Sequence, residues 1–472
     1  MKSSNGGEKK VTSQNDKSMK TQDTHKMGKT HPMVHVVFVS LLLDLLAFTM
    51  ILPLLPSLLD LYSQNDSSGL YPYLLEKVRF FQHMLGAPDR FNSVLFGGFL
   101  GSLFSFLQYV ASPMVGGFSD AYGRKPAMLL CLAGIAFSYI LWVLSSNFAL
   151  FVLARFVGGI SKGNVSLSMA IITDVSTPAL RAKGMALVGI AFSIGFILGP
   201  IIGAAFAHWS HSQTGESWFM VPASFALFLA ITDFVFVLAF FKETLPKGKR
   251  ARSVAKSLAE AVAYVNPVDL FNFKAVQKMS SQEHSKLVRL GFIYYLYLFL
   301  YSGLEFTLTF LTHHAFGYTS MQQGWMFFAI GLTMATLQGA VIRRIPPHRV
   351  ASSATLGLLL IVPSFVCVGL ASSSTLLYVG LLLFAVSTSM VVPCMMTLVS
   401  KFGTHDQKGT VMGIFRSLGA LARAMGPIFA SILYWSIGSL MTYLLGGVGL
   451  IVPWLMMRNL EGKLSGSPQK QS

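Results

Sequence analysis

Four basic residues interrupt apolar stretches of this sequence in two matching pairs. Arg155 and Lys162 are seven residues apart, and so are Arg416 and Arg423. Seven residues fall about 20° short of two turns of an α-helix, so the members of each pair lie on one helix face. A guanidinium binds a carboxylate through two hydrogen bonds, whereas an ammonium acts as a point charge. The pairs therefore predict a site for an anionic ligand, contacted by Lys162, Arg423 and Arg155.

Two carboxylates, Asp44 and Glu305, occupy comparable apolar stretches. Burial disfavours the charged form of a carboxyl group, which makes it a candidate proton carrier. We expect Asp44, Glu305 and Arg416 to form a proton-coupling or charge network. The alternatives are a static ion pair for each carboxylate, snorkelling for Arg416, and a structural partnership of Arg155 with Asp44 or with backbone carbonyls. Four cations outnumber two carboxylates, which favours an anionic ligand.

A polar face also runs through the aromatic stretch between residues 292 and 306. Tyr297, Tyr301 and Glu305 recur every four residues and therefore share one side of a helix. Together with Gln338 they could contact a drug-sized ligand. The alternative is that this face belongs to the core or faces lipid.

The remaining titratable residues in apolar stretches receive weaker predictions. Asp174 lies near a helix end and is assigned to the charged loop system described below. Asp233 is assigned to packing or to a helix contact. His313 and His314 are placed at an outer edge with a surface role, although imidazole titrates near neutral pH.

The elements that must position these residues are membrane-spanning helices. The chain has 472 residues, of which 53% are hydrophobic and 12% charged, with a mean hydropathy of +0.59. Soluble domains carry about 25% charged residues, and a span needs about 20 apolar residues. We therefore predict an all-α polytopic membrane protein with twelve spans. The predicted spans, numbered in chain order, are 34–61, 92–119, 126–146, 149–174, 182–207, 217–241, 287–312, 321–342, 350–371, 374–399, 409–436 and 439–457.

The net charge of +17 is distributed over alternate loops. Lys and Arg concentrate in loops of one parity, as the positive-inside rule produces, and this predicts that both termini lie in the cytoplasm. Because the basic residues do not form a folded basic domain, we exclude nucleic acid as a partner. The three cysteines lie in apolar stretches and indicate neither a disulfide framework nor a metal site. We expect no cofactor and no catalytic residues.

The predicted domains follow from this charge pattern. Residues 1–33 form a disordered basic cytoplasmic tail, 34–241 and 287–458 are two six-helix bundles, 242–286 is a cytoplasmic linker, and 459–472 is a second tail. Within the linker, Lys256–Val265 is either an amphipathic surface helix or plain linker. Asn65 begins an Asn-Asp-Ser sequon in the first outer loop and is a glycosylation candidate.

The loop between spans two and three reads GGFSDAYGRKP. Gly116 permits close approach of a neighbouring helix, and Gly123 permits a tight turn. Asp120 can pair with Arg124 across one helical turn, and Lys125 stays in the cytoplasm. We call this cluster the latch, because such a charged contact can hold one conformation and release it.

The latch resembles the loop signature of the major facilitator superfamily. LLLDLLAFTMILPLLPSLL (41–59) and ARFVGGISKG (154–163) resemble spans one and four of its tetracycline-type drug:proton antiporters. GFILGPIIG resembles their span-five motif, in which Gly195, Gly199 and Gly203 form a small-residue face and Pro200 bends the helix. The resemblance implies two six-helix bundles that rock about a midplane site. A closer similarity to animal tetracycline-transporter-like members, carried by SGLEFTLTFLTHH and GLTMATLQGA, implies organic anions as substrates.

We therefore expect a secondary transporter of small organic anions that works as a monomer in the lipid bilayer. Coupling of this transport to protons is a hypothesis that rests on Asp44 and Glu305. The chain has no GxxxxGK[ST] phosphate-binding loop, and we expect no enzymatic activity. One alternative is an exporter of amphipathic cationic drugs, and another is a membrane regulator or scaffold that does not transport. The expected location is the plasma membrane, with an intracellular membrane such as the nuclear envelope as the alternative.

Overall fold

The computed structural model describes residues 31–85, 91–214, 217–250, 266–276, 279–403 and 408–465. The predictions for Lys256–Val265 and for most of both tails lie outside these residues. Within the described residues, every regular element is helical. Ten segments of the described part of the chain are long and apolar enough to cross a membrane. One of them contains two spans, and Ser320–Ala340 adds a less apolar one, so the fold has the twelve predicted spans.

The spans are assigned to helices as follows. They are Pro32–Thr49 with Leu55–Asn65 (one), Asn92–Tyr122 (two), Arg124–Val143 (three), Phe148–Ser161 with Asn164–Val175 (four), Pro178–Thr214 (five), Met220–Phe240 (six), Ser281–Phe316 (seven), Ser320–Ala340 (eight), Val350–Gly369 (nine), Ser374–Val399 (ten), and Lys408–Ser465, which Gly438 divides into eleven and twelve. The short helices Leu70–Leu85 and Pro267–Phe271 lie in loops, as do 3-10 turns at Lys247–Lys249 and Ile342–Arg344.

Spans one and four are each broken into two helices, span one at a proline and span four at a lysine. In span one, the 3-10 turn Leu52–Leu54 contains Pro53, which has no backbone N–H to continue the α-helical pattern. In span four, Lys162 has ψ of 33° and ends the first helix, and the second helix starts at Asn164. Broken helices expose polar backbone inside a bundle, and this is tolerated where the backbone lies against protein or a cavity.

The spans form two six-helix bundles that meet along spans two and eleven and along spans five and eight. Ser102 accepts a hydrogen bond from the backbone N–H of Ile428 (2.9 Å), and Gly98 lies directly against Ser431. Gly324 of span eight lies against Ala204 of span five. Small residues at these positions let the two bundles approach closely.

The glycines of the span-five motif face span one. A Cβ on Gly195 would lie 2.7 Å from the Cβ of Leu45, and Gly199 and Gly203 lie against Thr49 and Met50 in the same way. Thr49 also donates a hydrogen bond to the Gly195 carbonyl (2.7 Å). Span five thus packs backbone to backbone against span one, and any larger residue at these glycines would push the two helices apart.

Candidate functional site

A cluster of almost fully buried charged residues lies between spans one and four. Lys162 Nζ lies 2.5 Å from Asp44 Oδ1, and Asn164 Nδ2 donates to Asp44 Oδ2 over 2.8 Å. The side chains of Lys162 and Asp44 are only 4% and 1% exposed. At the break in span four, Lys162 caps the C-terminal end of the first helix and Asn164 begins the second, so both residues lie close to Asp44. Asp44 therefore forms an ion pair, and its partner is Lys162 rather than Arg155.

Arg155 lies two turns from Lys162 on span four, and its guanidinium carbon is 4.3 Å from the ring centroid of Phe104. Within the described residues, no carboxylate lies within 4 Å of Arg155. Arg155, Lys162 and Tyr139 line a cavity of about 20 Å³, which has room for about one water molecule. Among the described residues, Arg155 thus has no carboxylate partner, and it borders a small cavity with a largely apolar lining.

In the second bundle, Glu305 of span seven faces Arg423 of span eleven. Arg423 Nη1 lies 3.8 Å from Glu305 Oε2, and Tyr301 donates to Glu305 Oε1 over 3.5 Å. The Arg423 side chain is 46% exposed and that of Glu305 is 28% exposed. This pair is longer and more open than the Asp44–Lys162 pair.

The tyrosine face of span seven has two different environments. Tyr297 is fully buried, and its hydroxyl donates to Thr388 of span ten (3.3 Å). The Tyr301 ring stacks on Phe384 with 4.8 Å between centroids and lies 6.0 Å from the Arg423 guanidinium carbon. Tyr297 therefore serves packing within the bundle, and Tyr301 borders Arg423. Gln338 is half-buried near the far end of span eight.

Arg416 connects the two bundles, because its guanidinium contacts the sulfur of Met169 on span four. Within the described residues it has no carboxylate within 4 Å. Spans four and eleven run in opposite directions. Lys162 lies seven residues from Met169, and Arg423 lies seven residues from Arg416. Both are therefore displaced from this contact by roughly 10 Å along the helix axis in the same direction, which places them at about the same depth. The two cationic stripes therefore meet at the level of Lys162 and Arg423, with Arg155 and Arg416 about two turns away on opposite sides of that level.

The latch forms a compact charged network. Arg124 Nη1 lies 2.6 Å from Asp120 Oδ1, and its Nε lies 2.7 Å from Asp174 Oδ2. Gly123 adopts φ of +115°, a conformation that favours glycine. Gly116 has open space where a side chain would project, so the close helix approach expected there is not formed in this conformation. Arg124 thus joins span two to span four.

A further residue of the latch, Glu243, was missed by sequence reasoning. It accepts hydrogen bonds from the backbone N–H groups of Arg124 (2.9 Å), Lys125 (3.2 Å) and Leu245 (2.9 Å). Burial raises the pKa of Glu243, but these donors and the nearby Arg250 outweigh it and hold the pKa below its usual range. The available signal was its position directly after span six, at the same end of the bundle as Gly123. Glu243 therefore ties spans three and six together.

The opposite end of the molecule is closed by polar contacts between the bundles. His313 Nε2 of span seven lies 2.7 Å from Asp60 Oδ2 of span one. Trp435 of span eleven donates to Asn92 of span two over 2.8 Å. We call this the Asp60 end. The sequence assigned His313 only a surface role, because its partner lies 253 residues away.

A larger cavity, of about 340 Å³, lies at this same end. It is lined by Ser57, His208 and Tyr318 among others. Its volume is within the range of small-molecule pockets. It lies beside the contact of His313 with Asp60 and does not include the charged cluster of Asp44 and Lys162.

Comparison with known proteins agrees with this architecture. The family model of the Major Facilitator Superfamily matches residues 37–427. Human major facilitator superfamily domain-containing protein 10 is 46% identical over 443 residues, covering 93% of this chain and 95% of that protein. The class B tetracycline resistance protein of Escherichia coli is 26% identical over 401 residues, covering 84% and 88% of the two chains.

A solved structure has the same fold. The crystal structure of the human organic anion transporter MFSD10 (TETRAN) superposes with a TM-score of 0.74 and 46% identity, covering 90% of this chain and 98% of that one. The resemblance carried by the latch and by spans one, four and five is thus confirmed over nearly the whole length. Together with the twelve helical spans, these matches show that the chain is a multi-pass membrane transporter, not an enzyme, and belongs to the major facilitator superfamily.

Proposed function

We propose that this protein transports small organic anions by alternating access of one site between the two bundles. The observation that carries the proposal is the surplus of positive charge facing that space. Arg155 and Arg416 have no carboxylate partner within 4 Å among the described residues, and Arg423 holds only an open, long pair with Glu305. Fixed charge in a medium of low dielectric constant attracts a ligand of opposite sign. The relative described as an organic anion transporter supports the same substrate class.

The three arginines have different roles in this proposal. Arg423 makes the first contact with a substrate carboxylate, because it is the most exposed of the cations and can give up Glu305. Arg155 and Arg416 lie at other depths on spans four and eleven and bind a second polar group or guide the substrate along the axis. Lys162 is enclosed with Asp44, so it becomes available only after Asp44 takes up a proton or the bundle opens.

The same arrangement suggests how protons could be coupled to transport. A proton bound by Asp44 would release Lys162, and a proton bound by Glu305 would release Arg423. In both cases protonation increases the positive charge available to the substrate anion. We therefore propose that Asp44 and Glu305 carry the coupling protons, that the latch end faces the cytoplasm, and that the monomer is the working unit.

The conformation described here is closed at the Asp60 end. In the proposed cycle, breaking the contact of Asp60 with His313 opens that end, and separation of Arg124 from Asp174 accompanies movement at the latch end. Each contact joins different helices and can therefore favour one state over the other.

The test is uptake of a radiolabelled organic anion into proteoliposomes, with and without an imposed pH gradient. Arg423→Gln should raise the KM about tenfold or more, since a charge-assisted hydrogen bond contributes about 1.5–3 kcal/mol. The matched control is Arg458→Gln, an arginine of span twelve that packs on Trp454 and is exposed.

Unchanged uptake in Arg423→Gln would remove this residue from the substrate site. Uptake of a cationic drug in place of the anion would favour an exporter of the tetracycline-pump type. Absence of any flux through folded wild-type protein would favour the non-transporting regulator.

A further inference from the structure

Asp233 is a buried carboxylic acid that the proposed transport site does not use. It lies on span six, which packs against span one, and its side chain is fully buried. The facing polar side chain is Ser40 of span one, which is also fully buried. Ser40 precedes Asp44 by four residues, so the two lie one helical turn apart on the same side of span one.

Among the residues that the structure describes, Asp233 lacks the partners that an ionised carboxylate requires. Within the described residues, neither of its carboxyl oxygens has a hydrogen-bond partner, and the Ser40 hydroxyl has none either. No lysine, arginine or histidine of those residues lies within 4 Å of Asp233. The charged groups that act on it from the helices packed nearby are Asp44 and Lys162.

The nearby lysine is already committed. Lys162 lies 2.5 Å from Asp44 and forms the closed ion pair described above. One lysine cannot neutralise two carboxylates. An uncompensated carboxylate at the centre of a membrane helix costs about 2.5–3.5 kcal/mol even on insertion scales, and a carboxyl in that setting takes up a proton instead.

We propose that Asp233 is a proton-binding site that is neutral in this conformation and is linked electrostatically to the Asp44–Lys162 pair. The three groups then have a net charge of zero, with one proton on Asp233. If that proton passes to Asp44, the net charge is unchanged, Asp44 becomes neutral, and Lys162 balances Asp233. Two carboxyls that share one lysine titrate as a coupled pair. Ser40 is the polar residue of span one that faces Asp233, and it lies one helical turn from Asp44.

The experiment is infrared spectroscopy of the purified full-length protein in lipid nanodiscs, which detects the C=O stretch of a protonated carboxyl. Asp233→Asn and Asp233→Leu are both measured, so that a folding failure in one leaves the other. The band should be present in the wild type at neutral pH and absent in both variants. The matched control, Asp269→Asn, removes an exposed carboxylate paired with Lys274 and should leave the band unchanged.

A carboxyl band that persists in the Asp233 variants would overturn the proposal. The linkage has its own test in Asp44→Asn, which leaves Lys162 without its partner. The proton should then leave Asp233 at a lower pH than in the wild type, because Lys162 stabilises the carboxylate. An unchanged midpoint of the band titration would refute the linkage. The spectroscopic readout does not require transport, so it is independent of the substrate proposed above.

Discussion

The buried pair of Asp44 and Lys162 gives the sharpest quantitative prediction. Both oxygens of Asp44 are bonded, at 2.5 and 2.8 Å, and both side chains are almost inaccessible. Removing one partner of a buried pair leaves an uncompensated charge and costs about 3–5 kcal/mol. Lys162→Met should therefore lower the free energy of unfolding by about 3–5 kcal/mol. Protonation of Asp44 in this variant would reduce the loss.

The double variant Asp44→Asn with Lys162→Met separates the charge effect from packing. Since neither charge remains, it should recover most of the stability lost in Lys162→Met, giving a coupling free energy of about 2–4 kcal/mol. The assay is thermal unfolding in detergent. For a domain of about 150–250 residues, 1 kcal/mol shifts Tm by about 2–4 °C, so a loss of 3 kcal/mol corresponds to at least about 6 °C.

The control is the exposed pair of Asp269 and Lys274, whose side chains are 33% and 74% accessible. Its removal by Asp269→Asn should change stability by less than about 1 kcal/mol. The reasoning would be refuted if Lys162→Met cost no more than this control. It would also be refuted if the double variant were as unstable as the sum of the two single variants, because that result means no coupling between the charges.

The remaining predictions concern the two ends of the molecule. Gly123→Ala should destabilise the latch by about 1–2 kcal/mol, because Gly123 has φ of +115° and a side chain there would meet Glu243. Gly116→Ala should be neutral or slightly stabilising, because the space at Gly116 is open. Thermal unfolding compares the two variants, and equal losses of stability would contradict the assignment. Because its pKa is lowered in the folded protein, ionised Glu243 stabilises the fold at pH values above the ordinary pKa of a glutamate, and this stabilisation is lost as the pH falls through the lowered pKa. Glu243→Gln should therefore reduce stability near neutral pH and weaken the dependence of stability on acid pH. An unaltered profile of stability against pH would exclude this role. Asp60→Asn or His313→Gln should open the Asp60 end. The measurement is the labelling rate of a cysteine introduced into the cavity at that end, which should increase. Labelling at the wild-type rate would show that the contact of Asp60 with His313 does not keep this end closed.

Several features of this protein follow from local sequence. The apolar runs determine the helices, because the backbone polar groups of a lipid-embedded segment must be satisfied within that segment. The boundaries agree with prediction within a few residues for most spans, for example 350–371 against Val350–Gly369. The latch was also predictable, since Asp120 and Arg124 are one turn apart and Gly123 marks the turn.

Pairings between distant spans were decided by tertiary structure. Asp44 and Lys162 are 118 residues apart, and Asp60 and His313 are 253 apart. The sequence identified Asp44, Lys162, Arg155 and Glu305 as unusual, but it left open which cation meets which carboxylate. That choice depends on how each helix is rotated about its axis. A span that is apolar on all sides carries little amphipathic signal to set this rotation.

Sequence alone therefore determined the membrane-embedded helical fold, the repeated cationic stripes and the local contacts of the latch. Tertiary structure decided that Lys162 is neutralised by Asp44. Among the described residues, it also decided that Arg155 and Arg416 lack carboxylate partners and that the Asp233 oxygens lack hydrogen-bond partners. The physical reason is that the membrane selects segments by total hydrophobicity, a property of composition. Charge compensation depends on distances of a few ångströms between helices, and those distances are set by small residues such as Gly195 and Gly199 where the helices pack.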